Sequence, residues 1–359
     1  MIRLSVILLL CVVAPVHAQS NMLCPPTGKE PCKTSCRPAW AGMYPTVVTP
    51  WLCGGCGVDT VALVKEIQWQ LFGGVHGLLV LGTLGEGMYA SDAERAEVIT
   101  TVVATAKGKV PVIVGIHSCD VSHAMQQLQQ AKALGASAVL VKFSGSAHTP
   151  FWEVLGFYET LSSSGLLPIF YYHIPGSVDR KLSPNEVVQI LSLPNVIGAK
   201  ESVLDLKEVQ AHINGVCGQG KIFLSGTALN LTQFRAIGGH GAMCPEAALL
   251  PIDAVDAFNT AYEIGDTKAA RHQQKDLFVL APVLKGGIIT ENGAKMLTMT
   301  SQDLKLPQRL GRDSSQARMK ATLHQLGFSM NATVKPELPQ LSSWDQHIVN
   351  SAVKKIEGR

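Results

Sequence analysis

The sequence predicts an α/β fold, a (β/α)8 TIM barrel with a C-terminal helical extension, and three observations carry the prediction. First, one phrase recurs: an amphipathic stretch ends at glycine and an apolar run begins, as in LFGGVHGLLVLG, KALGASAVLVKF, SSSGLLPIFYY and AIGGHGAMC. Second, the apolar runs alternate only weakly, which suits parallel strands covered on their outer face by helices. Third, counted from the first strand there are eight strand-helix units, and eight favour closure into a barrel. An open doubly wound sheet usually carries a glycine-rich phosphate loop after its first strand. None is present, because Gly82, Gly85 and Gly87 lack GxGxxG spacing and no GK[ST] occurs.

Taken in order, residues 1–18 combine Arg3, an apolar run from Leu4 to Pro15 and small residues up to Ala18. This is the pattern of a cleaved signal peptide, too short to span a bilayer. Residues 19–39 form a Cys-rich segment. Of nine cysteines only Cys11 lies in the leader, which leaves eight, and Cys24, Cys32, Cys36, Cys53 and Cys56 crowd the front. A leader followed by clustered cysteines predicts structural disulfides and a secreted or endomembrane-lumenal protein, free of the membrane once the leader is removed. The Cys53-Gly-Gly-Cys56 pair has no second Cys or His pair at metal-ligand spacing, so no metal is expected, nor any cofactor. Cys244 sits in an apolar run and is expected as a free core thiol.

The barrel is expected over 40–266. Its first strand, 41–50, leaves through Thr-Pro, and the strands ending at Gly82, His117, Phe143, Tyr172, Lys200, Gly226 and Cys244 follow, each with a helix. Residues 267–328 read as helices packed beyond the barrel. Residues 329–359 read as a tail whose final IEGR resembles a protease recognition tag. Asn230-Leu231-Thr232 and Asn331-Ala332-Thr333 have the form of glycosylation acceptors, and the second is the better placed.

The 359 residues are 47% hydrophobic and 16% charged, enough apolar content for one large core. A net charge of +3 without a basic run argues against a nucleic-acid partner, leaving a small molecule.

The chemistry concentrates in residues 168–204. Strand alternation puts Pro168, Phe170 and Tyr172 on one face and Val196, Gly198 and Lys200 on one face of the next strand, so in a barrel Tyr172 and Lys200 meet at the mouth. An amine attacks a ketone only when neutral, and an ordinary lysine titrates at about 10.4. A buried strand end supplies the desolvation that lowers it, Gly198 leaves room for a small substrate, and the Tyr172 phenol can carry protons. Taken alone, a lysine closing an apolar strand is more often a snorkelling surface residue, and the surrounding pattern overturns that reading here. His173 and Glu201 point to the opposite face, where packing or anchoring of the strand ends is expected, and His240 also reads as structural.

Three motifs in order, Gly82-Thr83-Leu84-Gly85-Glu86-Gly87, Tyr172-His173-Ile174-Pro175-Gly176 and Gly198-Ala199-Lys200-Glu201, resemble the signatures of the N-acetylneuraminate lyase and dihydrodipicolinate synthase superfamily. The resemblance runs from about Trp40 to about Phe328. It implies that Lys200 forms a Schiff base with pyruvate or a related 2-oxo acid, that Tyr172 and Thr83 relay protons, and that the loop with Gly82, Leu84 and Gly85 binds the carboxylate. Gly226 and Thr227, after the seventh strand, are the implied contacts to the rest of the substrate. It also implies a homodimer or homotetramer.

The sequence departs from the pattern at several positions. Leu84 replaces a second threonine, and Thr227-Ala228-Leu229 replaces the acidic pair of sialic-acid lyases. Ser177 replaces the arginine of dihydrodipicolinate synthases, and Lys142-Phe143-Ser144-Gly145-Ser146 lacks the third relay tyrosine. Gly226-Thr227-Ala228 is similar to the small-residue pattern of 4-hydroxy-2-oxoglutarate aldolases. Two functions follow: a class I aldolase or synthase, or a secreted barrel whose loops have drifted into a binding or scaffold role. A buried amine without a task costs desolvation, which favours the enzyme.

Overall fold

Eight parallel strands curl in the order β1-β8-β7-β6-β5-β4-β3-β2. A computed structural model describes residues 37–174, 181–203, 205–285 and 315–358. The strands are β1 (Gly42–Pro45), β2 (Leu78–Val80), β3 (Val112–Ser118), β4 (Ala138–Phe143), β5 (Ile169–His173), β6 (Val196–Glu201), β7 (Ile222–Ser225) and β8 (Gly241–Cys244). The ring closes between β1 and β2 through a Thr46–Leu79 bridge, with Val47 N–H donating to the Leu79 carbonyl and His76 N–H to the Met43 carbonyl, each at 2.9 Å. The barrel expected from the eight-fold phrase is therefore the observed architecture, its first strand shorter than 41–50.

The helices follow the strands: α1 (Thr60–Phe72), α2 (Asp92–Ala106), α3 (Val121–Ala133), α4 (Phe151–Ser163), α5 (Pro184–Leu191), α6 (Leu206–Gly215), α7 (Leu231–Ala236), and then α8 (Glu246–Leu249) with α9 (Pro251–Asn259). Their starts are written locally. Ser91 and Ser183 each close a reciprocal capping box with a glutamate three residues on, and Asp59, Asp120 and Asp205 accept first-turn N–H groups. The apolar residues divide into two layers. Tyr44, Leu79, Ile113, Leu140, Phe170, Leu224 and Met243 fill the barrel, while a larger cluster lies between strands and helices.

Beyond the barrel come α10 (Thr267–Asp276), α11 (Ala281–Lys285) and α12 (Ser315–Gln325). Residues 329–359, expected as a tail, carry α13 (Ser343–Glu357), capped by Ser342 and packed on α12 through Val349 and Val353 against Ala321. Their apolar spacing is helical, and reading the terminal residues as a tag hid it.

The expected leader at 1–18 and most of the Cys-rich segment at 19–39 lie outside the described residues, as do Pro175, Gly176 and Ser177. Cys244 is buried and free, as expected. Cys56, expected in a disulfide, is an exposed free thiol in the 52–57 turn that Leu52 N–H closes onto the Gly57 carbonyl at 3.1 Å. No cysteine partner faces it among the described side chains. Cys217 is disulfide-bonded.

Candidate active site

Tyr172 and Lys200 are direct partners in the β5–β6 register, and both are 5% exposed. The parity that puts Phe170 and Tyr172 inside the barrel also turns Lys200 inward, and its Nζ lies 4.5 Å from the Tyr172 ring centroid. Thr83 Oγ1 reaches the phenol oxygen at 3.4 Å, so the three expected catalytic side chains converge. Burial alone would raise the Tyr172 phenol. The Lys200 charge, helped by hydrogen bonds from Thr83, Ser202 and Lys200, outweighs burial and draws it below its usual value.

Gly198 is required for a different reason from the one expected. A Cβ there would sit 1.9 Å from the Ile222 carbonyl oxygen, so glycine is demanded by strand packing rather than by substrate volume.

Lys200 takes part in no ion pair among the described residues. Its neighbour Glu201 points outward and spends both oxygens elsewhere, on His173 Nδ1 at 2.7 Å and His212 Nδ1 at 3.0 Å. Burial would raise the Glu201 carboxyl, but the two imidazoles hold it at about 2. These three residues place candidate metal-ligating atoms within 4.8 Å of one another. With both Nδ1 atoms bonded to the carboxylate, the group ties the ends of β5 and β6 to α6, while His212 Nε2 is buried without a partner among the described residues. His240 is also tied to the backbone, accepting from Phe223 N–H at 3.1 Å.

The loop at 82–87 offers amides and hides carbonyls. Among the described residues, the N–H groups of Thr83, Leu84 and Gly85 donate to no protein acceptor, whereas the Thr83, Gly85 and Gly87 carbonyls are each held by a side chain. Gln316 Nε2 holds Thr83 at 3.3 Å, Thr49 Oγ1 holds Gly85 at 2.7 Å, and Arg95 Nη1 holds Gly87 at 3.1 Å. A Cβ on Gly85 would approach Leu81 N and Val47 O to 2.8 and 2.9 Å, so only glycine turns here. Three open N–H groups beside a buried lysine suit a carboxylate. Gly82 has ordinary room around its Cα, and Leu84 packs half-buried against the outer core.

Glu86 is the hub of this loop. It is 1% exposed and backbone-strained at φ 57°. Its carboxylate accepts from Trp51 Nε1 at 2.8 Å and Lys335 N–H at 2.7 Å and pairs with Lys320 of α12. Gln316 and Lys320, one helical turn apart on α12, thus tie the C-terminal extension to the site. Neither belongs to a recognisable motif, and the only sequence signal for Lys320 is its place among the apolar positions of α12.

Gly226 and Thr227, expected at the substrate, are built into the strand ends. Gly226 N–H donates to the Glu201 carbonyl at 2.7 Å, and a Cβ there would meet Ser202 Oγ at 2.4 Å. Thr227 Oγ1 donates to Glu246, whose carboxyl burial raises, and accepts from Leu229 N–H at 3.2 Å.

The sequence profile of the Dihydrodipicolinate synthetase family matches residues 39–287. Among curated proteins, the 4-hydroxy-tetrahydrodipicolinate synthase of Phenylobacterium zucineum is 30% identical over 301 residues, covering 81% of this chain and 99% of that protein. The enzyme of the same name from Jannaschia sp. is 31% identical over 301 residues, covering 80% and 98%. Among solved structures, the dihydrodipicolinate synthase of Thermotoga maritima superposes with TM-score 0.74 at 22% identity, covering 88% of this chain and 98% of that one. The Acinetobacter baumannii dihydrodipicolinate synthase, solved with pyruvate, gives TM-score 0.72 at 22% identity, covering 88% and 99%. A dihydrodipicolinate synthase variant described as monomeric gives 0.74 at 22%, covering 88% and 96%.

Proposed function

The chain belongs to the dihydrodipicolinate synthetase family, and from that premise we propose that it is a Schiff-base-forming lyase or synthase acting on pyruvate or a related 2-oxo acid. The observation that carries the reading is Lys200: an amine 5% exposed, free of any ion pair among the described residues, against the ring of a tyrosine whose phenol is drawn downward. Lys200 attacks the C2 carbonyl, a carbinolamine forms, and water leaves to give the iminium. Tyr172 and Thr83 supply and remove the protons of these steps, and the amides of Thr83, Leu84 and Gly85 hold the carboxylate. The iminium then accepts the electron pair released when a C3–H or C3–C4 bond breaks, or the enamine adds to an aldehyde.

Borohydride reduction in the presence of pyruvate, followed by peptide mass mapping, tests the reading. An adduct on Lys200, absent from Lys200→Ala, is expected. A folded protein that yields none at millimolar pyruvate rejects it.

The same proposal extends to setting and assembly. The leader-like 1–18 and the bonded Cys217 support passage through the secretory route, and the exposed Asn331 supports glycosylation there rather than at the half-buried Asn230, which accepts from Ser225. Membership of the family supports a homodimer or homotetramer. Free-thiol counting and light scattering of the native protein test these points: eight free cysteines reject the first and a monomeric mass the second.

A further inference from the structure

His117 carries an imidazole that completes no hydrogen bond among the described residues. On β3 the inward parity set by Ile113 runs through Gly115 to His117, which carries the ring to the mouth of the barrel. The residue is 9% exposed, and neither Nδ1 nor Nε2 completes a hydrogen bond among the described residues. Its ring meets Tyr172 edge-on, centroids 6.3 Å apart and planes at 72°. One edge faces the Leu81 carbonyl without completing a bond. Burial, reinforced by Lys142, Arg95 and Lys200, pushes the ring down to about 3, so it is neutral, with one N–H donor and one bare acceptor nitrogen.

Ring nitrogens left without a completed hydrogen bond cost stability that an apolar side chain of similar size would not. Packing therefore does not account for a histidine at the mouth of the barrel beside Tyr172, whereas a bound substrate would supply the partner. We propose that His117 is a substrate-contacting, specificity-determining residue of the Schiff-base site, and that it binds the C4 oxygen of a 4-hydroxy-2-oxo acid. The proposal rests on the Schiff-base reading. The carboxylate is served by the amides of the 82–87 loop, and a neutral imidazole suits an uncharged oxygen instead. In cleavage the C4 hydroxyl proton passes to the Tyr172 phenolate, the C3–C4 electron pair moves into the iminium to give the enamine, and the oxygen becomes an aldehyde carbonyl. A ring that both donates and accepts can bond that oxygen before and after.

The test compares two probes, pyruvate and 4-hydroxy-2-oxobutanoate, by the concentration that half-saturates borohydride trapping on Lys200 in wild type, His117→Leu and His117→Gln. Wild type should trap the hydroxy acid at lower concentration than pyruvate. In His117→Leu the pyruvate value should stay within about twofold while the hydroxy acid weakens about tenfold, the loss of one hydrogen bond. His117→Gln, which restores a donor and an acceptor, should recover most of that loss. His117→Leu should also melt at or above the wild-type temperature. Equal shifts for the two probes, no shift for either, or a marked drop in melting temperature would overturn the assignment. Failure of wild type to trap pyruvate at all overturns the Schiff-base reading and this inference with it, whereas trapping without selectivity overturns this inference alone.

Discussion

Lys200 Nζ stands 4.5 Å over the ring of Tyr172, and the two residues are register partners on adjacent strands. Because both positions are set by backbone hydrogen bonding, the amine and the phenol cannot drift apart without unpairing β5 from β6. The charge of one lowers the proton affinity of the other, which couples the nucleophile to its proton carrier.

Tyr172→Phe should reduce kcat by roughly a hundred- to ten-thousandfold, the usual worth of a positioned acid or base, while leaving pyruvate able to bind. An ordinary tyrosine titrates near 10, and Tyr172 is drawn lower. The wild-type rate should therefore show an ionisation below that value that the variant lacks. Steady-state pH profiles check both points, and an unchanged profile would remove Tyr172 from proton transfer.

Glu86 and Lys320 pair in the interior with neither exposed by more than 1%. Removing one partner strands the other charge, so Glu86→Ala should cost about 3–5 kcal/mol in denaturant unfolding. Adding Lys320→Met should return part of that cost. Trp51 Nε1 and Lys335 N–H would still lack their acceptor, so the recovery is incomplete. Since Glu86 sits within the substrate loop, both variants should raise KM for pyruvate more than they lower kcat. Additive effects of the two substitutions would contradict the pairing.

Glu201→Ala should destabilise the chain by about 1–3 kcal/mol for each imidazole left without its acceptor, since His173 and His212 both lose a buried partner. The Glu201 carboxyl is depressed from 4.5 to about 2. Its contribution is therefore present above about pH 4.5 and is lost as pH falls through about 2. The variant should show a shallower acid limb, and an identical limb would disprove the anchor.

Glu66 behaves in the opposite sense. Burial raises its carboxyl from 4.5 to about 8, against hydrogen bonds from Val48 N–H and Gln70 and the attraction of Lys320. The folded chain holds a proton that the unfolded chain releases, so this contribution is full below about pH 4.5 and is lost as pH rises through about 8, at about 1.4 kcal/mol per pH unit between. Glu66→Gln keeps the acceptor used by Val48 and Gln70. It should flatten that decline and exceed wild-type stability at about pH 9, and unfolding curves at several pH values would reveal a decline that persists.

Much of this is legible in the sequence. Period-2 alternation was enough to send Tyr172 and Lys200 inward and His173 and Glu201 outward, because a strand offers a side chain only two directions. The loop at 82–87 was legible from its glycines. His117 was not, since a single histidine closing an apolar strand carries no spacing signal, and its meaning lies in the partners it lacks. Lys320 and Gln316 were hidden by distance, because their contacts lie more than 200 residues away along the chain. The role expected of Gly198 rested on its missing side chain and that of Thr227 on motif position, whereas their contacts are set by the Ile222 backbone and by Glu246.

The long reach from Glu86 to Lys320 also bears on how the protein is made. Synthesis proceeds at about 5–20 residues per second, and 234 positions separate the two partners. The barrel's second loop therefore emerges roughly 10–50 s before the helix that neutralises its buried carboxylate. Over that interval Glu86 must remain solvated and the loop unset, so the nascent chain carries its lysine and tyrosine before it owns a finished seat for the substrate's anion. Ribosome-bound chains stopped before α12 would lack the partner that holds Glu86 and its loop in place.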